Sequence, residues 1–276
     1  MTMFSPAEMA KIAEDGAVYK ATKNQFYSFV SAITAGAYIS IAFVFYATTQ
    51  VGAGELPWGV AKLIGGLVFS LGIIMCVVLG AELFTSSTLT VIAKASGHLS
   101  WHQVLKNWLV VYGGNLIGAL FIVGLVWFGG EIMAAKGQWG LVILNTAQHK
   151  IHHSWSEAFS LGIFCNIMVC IAVWMAYAGK SLTDKAFIMI LPISMFVASG
   201  FEHCVANMFM VPMGIVIHSF ASPEFWTSIN IDPNQFADLT VSHFVTKNLI
   251  PATLGNIVGG AVFIGLVQWF LHLRKH

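Results

Sequence analysis

Two polar stretches inside apolar runs constrain this chain more than anything else in it: Gly80-Ala-Glu-Leu-Phe-Thr-Ser86 and Gly200-Phe-Glu-His-Cys-Val-Ala206. Each sets a glutamate, Glu82 or Glu202, at hydrocarbon depth, where a carboxylate is costly unless it faces protein or water. Unwound backbone is tolerated there only where it lines a cavity or packs against protein. One such break in each half points to a pathway through a bilayer. Composition agrees, with 57% apolar and 9% charged residues, where a soluble domain carries about 25% charged. Long apolar runs indicate helices rather than the short alternating strands of a barrel. A net charge of +1 excludes a nucleic-acid partner. Cys76, Cys165, Cys170 and Cys204 all fall inside predicted spans and read as small core residues.

Ser5-Pro6-Ala7-Glu8 reads as a capping box opening a short helix. The first 25 residues are charged and lack an apolar h-region, so no cleavable signal peptide is expected. Six spans follow, at about 26–49, 60–80, 104–128, 155–179, 186–218 and 248–271, each near or above the roughly 20 residues a bilayer needs. The second and fifth carry the breaks, with half-helices expected to resume at Ser87 and Asn207. With the N-terminus inside, Lys and Arg near the span ends divide nine to the cytoplasm, Arg274 and Lys275 among them, and four outside (Lys62, Lys136, Lys150 and Lys247). Both termini are therefore expected in the cytoplasm. The expected regions are a cytoplasmic N-terminal helix at 1–25, a first three-helix repeat at 26–130, a periplasmic connecting loop at 131–154 and a second three-helix repeat at 155–276.

The halves repeat. Lys106-Asn107 and Gly114-Asn-Leu-Ile-Gly118 in the third span match Lys247-Asn248 and Gly255-Asn-Ile-Val-Gly259 in the sixth. Gly36 and Ser40-Ile41 match Gly162 and Asn166-Ile167, and Gly80-x-Glu82 matches Gly200-x-Glu202. Units of three spans force the second copy upside down, an inverted repeat whose broken helices meet near the midplane. The paired Gly-x-x-x-Gly motifs predict close helix packing. Asn115 and Asn256 are candidates to bond carbonyls freed by the breaks, or simply to bridge helices. Glu82 and Glu202 are expected to bind freed backbone donors, and Asn166 and Asn207 to serve as further structural polar groups.

Leu83-Phe84-Thr85, Gly200-Phe-Glu-His203 with Asn207, the paired Gly-Asn motifs, Val18-Tyr-Lys-Ala-Thr-Lys23 and Gln148-His-Lys-Ile-His-His153 resemble the formate-nitrite transporter family, in particular its formate-conducting members. The likeness covers nearly the whole chain. It implies an aquaporin-like protomer with its own pore, a homopentamer in the bacterial inner membrane, and passage of formate and related small anions such as acetate or nitrite. It also implies two apolar constrictions around a central His203: Phe69 and Phe196 at one, Ile73, Leu83 and Phe84 at the other, with Val169 on the same path. Relatives commonly have Leu where Ile73 stands. Thr85 and His203 resemble the family's hydrogen-bonded central pair, and Lys150 its external vestibule cation.

The residues themselves agree in part. Phe69 and Ile73, at i and i+4, share a helix face just before a break. His203 is the only His expected within a span interior. Carrying an anion through a dry slit costs several kcal/mol, and protonating a small carboxylic acid of pKa near 4 at pH 7 costs about 4 kcal/mol. The two are comparable, so sequence leaves anion conduction and proton-coupled passage of the neutral acid both open, with His203 bonding the permeant in either. A nitrite or hydrosulfide channel is the alternative within the family. A haem-binding redox protein would need His residues on facing spans, and only His203 qualifies. His149, His152 and His153 show no regular ligand spacing and read as interfacial polar residues. No metal, cofactor or catalytic residue is expected, and Asn-Pro-Ala, the mark of water channels, is missing from both breaks.

Overall fold

Ser5 and Glu8 close the expected capping box, and α1 (Pro6–Thr22) follows. The computed structural model describes residues 3–274, in which every regular element is helical. Lys275, used in the orientation argument, lies outside the described residues. The apolar spans form α2 (Gln25–Gln50), α3 (Trp58–Val78), α6 (Trp101–Phe128) and α8 (Trp155–Ala176). Between α3 and α6 lie α4 (Phe84–Ser87), a 3-10 turn Thr88–Thr90 and α5 (Val91–Ala95). The fifth crossing in chain order is split into α9 (Leu182–Ala198) and α10 (Cys204–Phe220), after which the chain bends by 110° into α11 (Pro223–Ile229).

The last crossing belongs to the continuous helical run from Val241 to His272, which follows a 3-10 turn at Pro233–Phe236. Here α12 (Val241–His243), α13 (Ile250–Ile257) and α14 (Val267–His272) are separated by π-helical stretches, Phe244–Leu249 and Val258–Leu266. Pro251 gives the first of these a cause: it has no N–H for the preceding turn and its ring crowds the carbonyl four residues back, so the helix widens there.

Both breaks are built alike. Leu79 N–H donates to Met75 O (2.9 Å) and Ala81 N–H to Cys76 O (2.8 Å); Ser199 N–H donates to Met195 O (3.0 Å) and Phe201 N–H to Phe196 O (3.0 Å). Gly80 and Gly200 sit in the left-handed region, at φ +71° and +72°, as a Schellman termination requires. Helix resumes at Phe84 and Cys204, three residues before the expected Ser87 and Asn207. The first free N–H of each new helix is capped by an asparagine of a neighbouring span.

The Gly-x-x-x-Gly motifs bring backbones together. A Cβ at Gly118 would stand 2.0 Å from Ile33 O, and one at Gly36 2.1 Å from Asn115 O, so α2 and α6 touch main chain to main chain. Gly255 and Gly259 repeat this against Phe159 O (2.1 Å) and Ile163 O (2.3 Å), where α13 and its π extension meet α8.

The stretch 131–154 is largely helical rather than a loop: a turn at Glu131–Met133, then α7 (Gln138–Ile151). Trp139, Ile143, Ala147 and Ile151 recur every four residues and are buried, against α10 and α2. At 14 residues α7 is too short to cross a bilayer and polar at both ends, which makes it read as a loop in sequence. It packs on α10 as α1 packs on α5, so each half consists of one short helix and three crossings.

Candidate functional site

Asn115 and Asn256 bind both edges of their breaks. Asn115 Oδ1 accepts from Phe84 N–H (2.9 Å), and its Nδ2 donates to Glu82 O (2.9 Å) and Ala32 O (2.8 Å). Asn256 Oδ1 accepts from Cys204 N–H (2.9 Å), and its Nδ2 donates to Glu202 O and Gly162 O, both at 2.8 Å. Each amide thus satisfies a donor and an acceptor that a broken helix exposes.

The carboxylates do something else than expected. Neither binds a freed backbone donor; both bind side chains. Glu202 accepts from Lys150 Nζ (2.9 Å), Asn207 Nδ2 (2.6 Å) and Asn248 Nδ2 (2.7 Å), and Asn248 also donates to Lys150 O (3.0 Å). Glu82 pairs with Lys23, and Asn107 Nδ2 lies 3.5 Å from its other oxygen while donating to Lys20 O (3.1 Å). The reason is position: Asn115 and Asn256 already occupy the first backbone N–H, leaving the carboxylates to face α1 and α7. Lys23, Asn107 and Asn248 had no assigned role in the sequence, although the repeated Lys-Asn dipeptide marks the two asparagines.

At the centre, His203 caps α10. Its Nδ1 accepts Ala206 N–H at 3.1 Å, so the neutral ring carries its proton on Nε2, which lies 3.1 Å from Thr85 Oγ1 across the two halves. Thr85 is held from behind: its carbonyl accepts from Asn166 Nδ2 (3.1 Å), which also donates to Asn256 O (2.6 Å). The Phe196 ring stacks on the imidazole at 5.8 Å, and Phe69 meets Phe196 edge to face, also at 5.8 Å. These aromatic contacts join α3, α9 and the break at Gly200.

A cavity runs from Lys62, Thr146 and His149 past Phe69 and Phe196 to His203 and Ala206. Lys150 and Glu202 form part of its wall, as do Phe43 and Tyr46 of α2, which sequence spacing did not single out. Ile73, Leu83 and Val169 are buried in the core beyond it and do not line it. Phe84 rests edge-on against Tyr112 of α6 (4.9 Å) rather than on the cavity. Of the three clustered histidines, His149 and His153 pack edge to face at 4.9 Å and His152 pairs with Asp238, so they do not converge on one point. Among the described residues no group of three His, Cys, Asp or Glu side chains is placed to hold a metal ion.

Residues 7–270 match the family model described as "Formate/nitrite transporter". The chain is 63% identical over 267 residues to formate channel FocA of Haemophilus influenzae, covering 97% of this chain and 94% of that protein. It is 61% identical over 271 residues to FocA of Escherichia coli K12, covering 98% and 95%. A solved structure described as a pentameric formate channel with formate bound superimposes with a TM-score of 0.87 at 52% identity, covering 91% of this chain and 98% of that one.

Proposed function

The chain belongs to the formate/nitrite transporter family, and from that premise we propose that each protomer is a channel passing formate, and related small monovalent anions, across the bacterial inner membrane. The two halves act as inverted repeats with α1 and both termini on the cytoplasmic side and α7 outside. Five protomers assemble, each with its own path. The pore is a conduit and carries out no bond-making step.

The observation that carries this reading is the His203–Thr85 contact at the end of a cavity walled by Phe69 and Phe196. Because the backbone fixes Nδ1 as an acceptor, Nε2–H is the ring's one donor, and a permeant carboxylate oxygen displacing Thr85 Oγ1 meets that donor beside the Phe196 ring. Phe69 and Phe196 form the outer constriction, and Ile73 and Leu83, with Phe84 behind them, the inner one. Val169 belongs to the same buried wall. Asn115, Asn166, Asn207 and Asn256, with Glu82 and Glu202, are the frame that keeps the breaks open and the imidazole aligned.

Fluxes of formate, acetate, nitrite and hydrosulfide into proteoliposomes, at two pH values, test the proposal with wild-type protein and His203→Asn. Formate is expected to pass fastest through the wild type, with the variant losing rate and pH dependence. An unaltered rate and pH dependence in His203→Asn removes the imidazole from the mechanism.

A further inference from the structure

Lys150 lines the cavity, but its charge is matched. It is buried, bonded to Glu202 at 2.9 Å, and tied to the π-helical stretch before α13 through Asn248. An ammonium and a carboxylate in contact present little net field to an approaching anion. His149 adds no charge at neutral pH: burial first, then the neighbouring His153 and Lys150, push its protonation below the ordinary imidazole range. One cation of the wall remains. Lys62 lines the same cavity, and among the described residues it makes no ion pair. Its nearest aromatic partner, the Trp58 ring at 6.0 Å, leaves the charge intact.

Its place on the helix is also suited to a role at the mouth. Lys62 precedes Phe69 by seven residues on α3 and Ile73 by eleven, two and three turns along one face. Its backbone therefore stands about 10 Å above Phe69 along the helix axis. An anion on its way to the Phe69–Phe196 constriction passes the one lysine of the cavity wall that, among the described residues, has no carboxylate of its own.

We propose that Lys62 is the residue that concentrates small monovalent anions at the mouth of the cavity, and that Lys150 is a positioning residue that fastens α7 and the π-helical stretch before α13 to the break at Glu202. This rests on the channel reading given above. An attraction of this kind is screened by salt, with a Debye length of about 10 Å at 0.1 M and about 30 Å at 0.01 M, whereas a hydrogen-bonding role is not.

The test is initial formate flux into proteoliposomes at 10 mM and 500 mM ionic strength, for wild type, Lys62→Gln, Lys62→Arg and Lys136→Gln. Lys136 is an exposed cation between α6 and α7 that does not line the cavity. Lys62→Gln is expected to raise the half-saturating formate concentration roughly three- to tenfold at low salt, falling below about twofold at high salt. Lys62→Arg is expected to retain the wild-type value, and Lys136→Gln to match wild type at both salts. A Lys62→Gln curve that coincides with Lys136→Gln at low salt, or a defect of the same size at both salts, overturns the inference while leaving the channel intact. If the wild-type protein passes none of the four small anions, the channel reading falls and this inference with it.

Discussion

At the break after α3, position 83 is leucine; at the equivalent place after α9, 120 residues later, stands His203. Around these two side chains the frame is duplicated: a left-handed glycine, a buried glutamate paired with a lysine in or at the end of a short helix, and an asparagine bridging both edges. Neighbouring positions diverge as well. Asn207, which gives Glu202 a further donor, is matched by Ser87, whose hydroxyl turns back to Leu83 O at 3.1 Å. Asn166 reaches across to the other break, while its counterpart Ser40 bonds only its own helix at Gly36 O (2.7 Å). After the break at Gly200 comes a 17-residue helix, but after the one at Gly80 only short pieces. Ser86, Ser87, Thr88 and Thr90 all bond carbonyls three or four residues back, which competes with regular helix. The two halves share a frame, and the His203–Thr85 contact lies where they differ.

The largest expected effect probes whether the two lysine–glutamate pairs are equivalent. Lys150→Met leaves Glu202 buried without its cation and is expected to destabilise the protein by about 3–5 kcal/mol. Lys23→Met is expected to cost less, about 1–3 kcal/mol, because the Lys23 side chain is more exposed, 17% against 10%. Thermal unfolding in detergent that ranked them in the opposite order would break the comparison.

Gly80→Ala and Gly200→Ala sharpen it from the other side. A Cβ at either glycine meets nothing within 4 Å, so the penalty is purely conformational, about 1–2 kcal/mol at each. Unequal shifts in melting temperature would mean that the two terminations are not the same motif. His203→Leu makes the second break a copy of the first. Formate flux is expected to fall on the order of tenfold, the loss of one hydrogen bond of about 1.4 kcal/mol, and loss of the α10 cap is expected to cost about 1 kcal/mol of stability. The smallest effect is dynamic: amides of Ser86 to Thr90 are expected to exchange about tenfold faster than those of Ala206 to Met210. Equal protection by hydrogen exchange would show that the irregular helix after Gly80 is as rigid as α10.

Much of the site was legible because the chain states it twice. The matched Gly-x-Glu and Gly-Asn motifs located both breaks, and Asn115 and Asn256 bind the freed carbonyls that placed them under suspicion. The carboxylates were misread because their partners lie far along the chain: Lys23 is 59 residues from Glu82, and Lys150 is 52 from Glu202. The short helix α7 was also missed, since its apolar stripe spans only 14 residues between polar ends. Lys62 carries no local signal at all; only the cavity shows that its neighbours lack a free charge.

By itself the sequence determined a membrane bundle of two related halves with a severed helix in each, because apolar run length, glycine and proline positions and internal repetition are local properties of the chain. Tertiary structure alone decided which donor each carboxylate takes, which nitrogen of His203 carries the proton, and which lysine of the cavity wall has no carboxylate partner. Those outcomes depend on groups from separate helices competing for the same few buried partners, and no order of residues along one strand of chain records who wins.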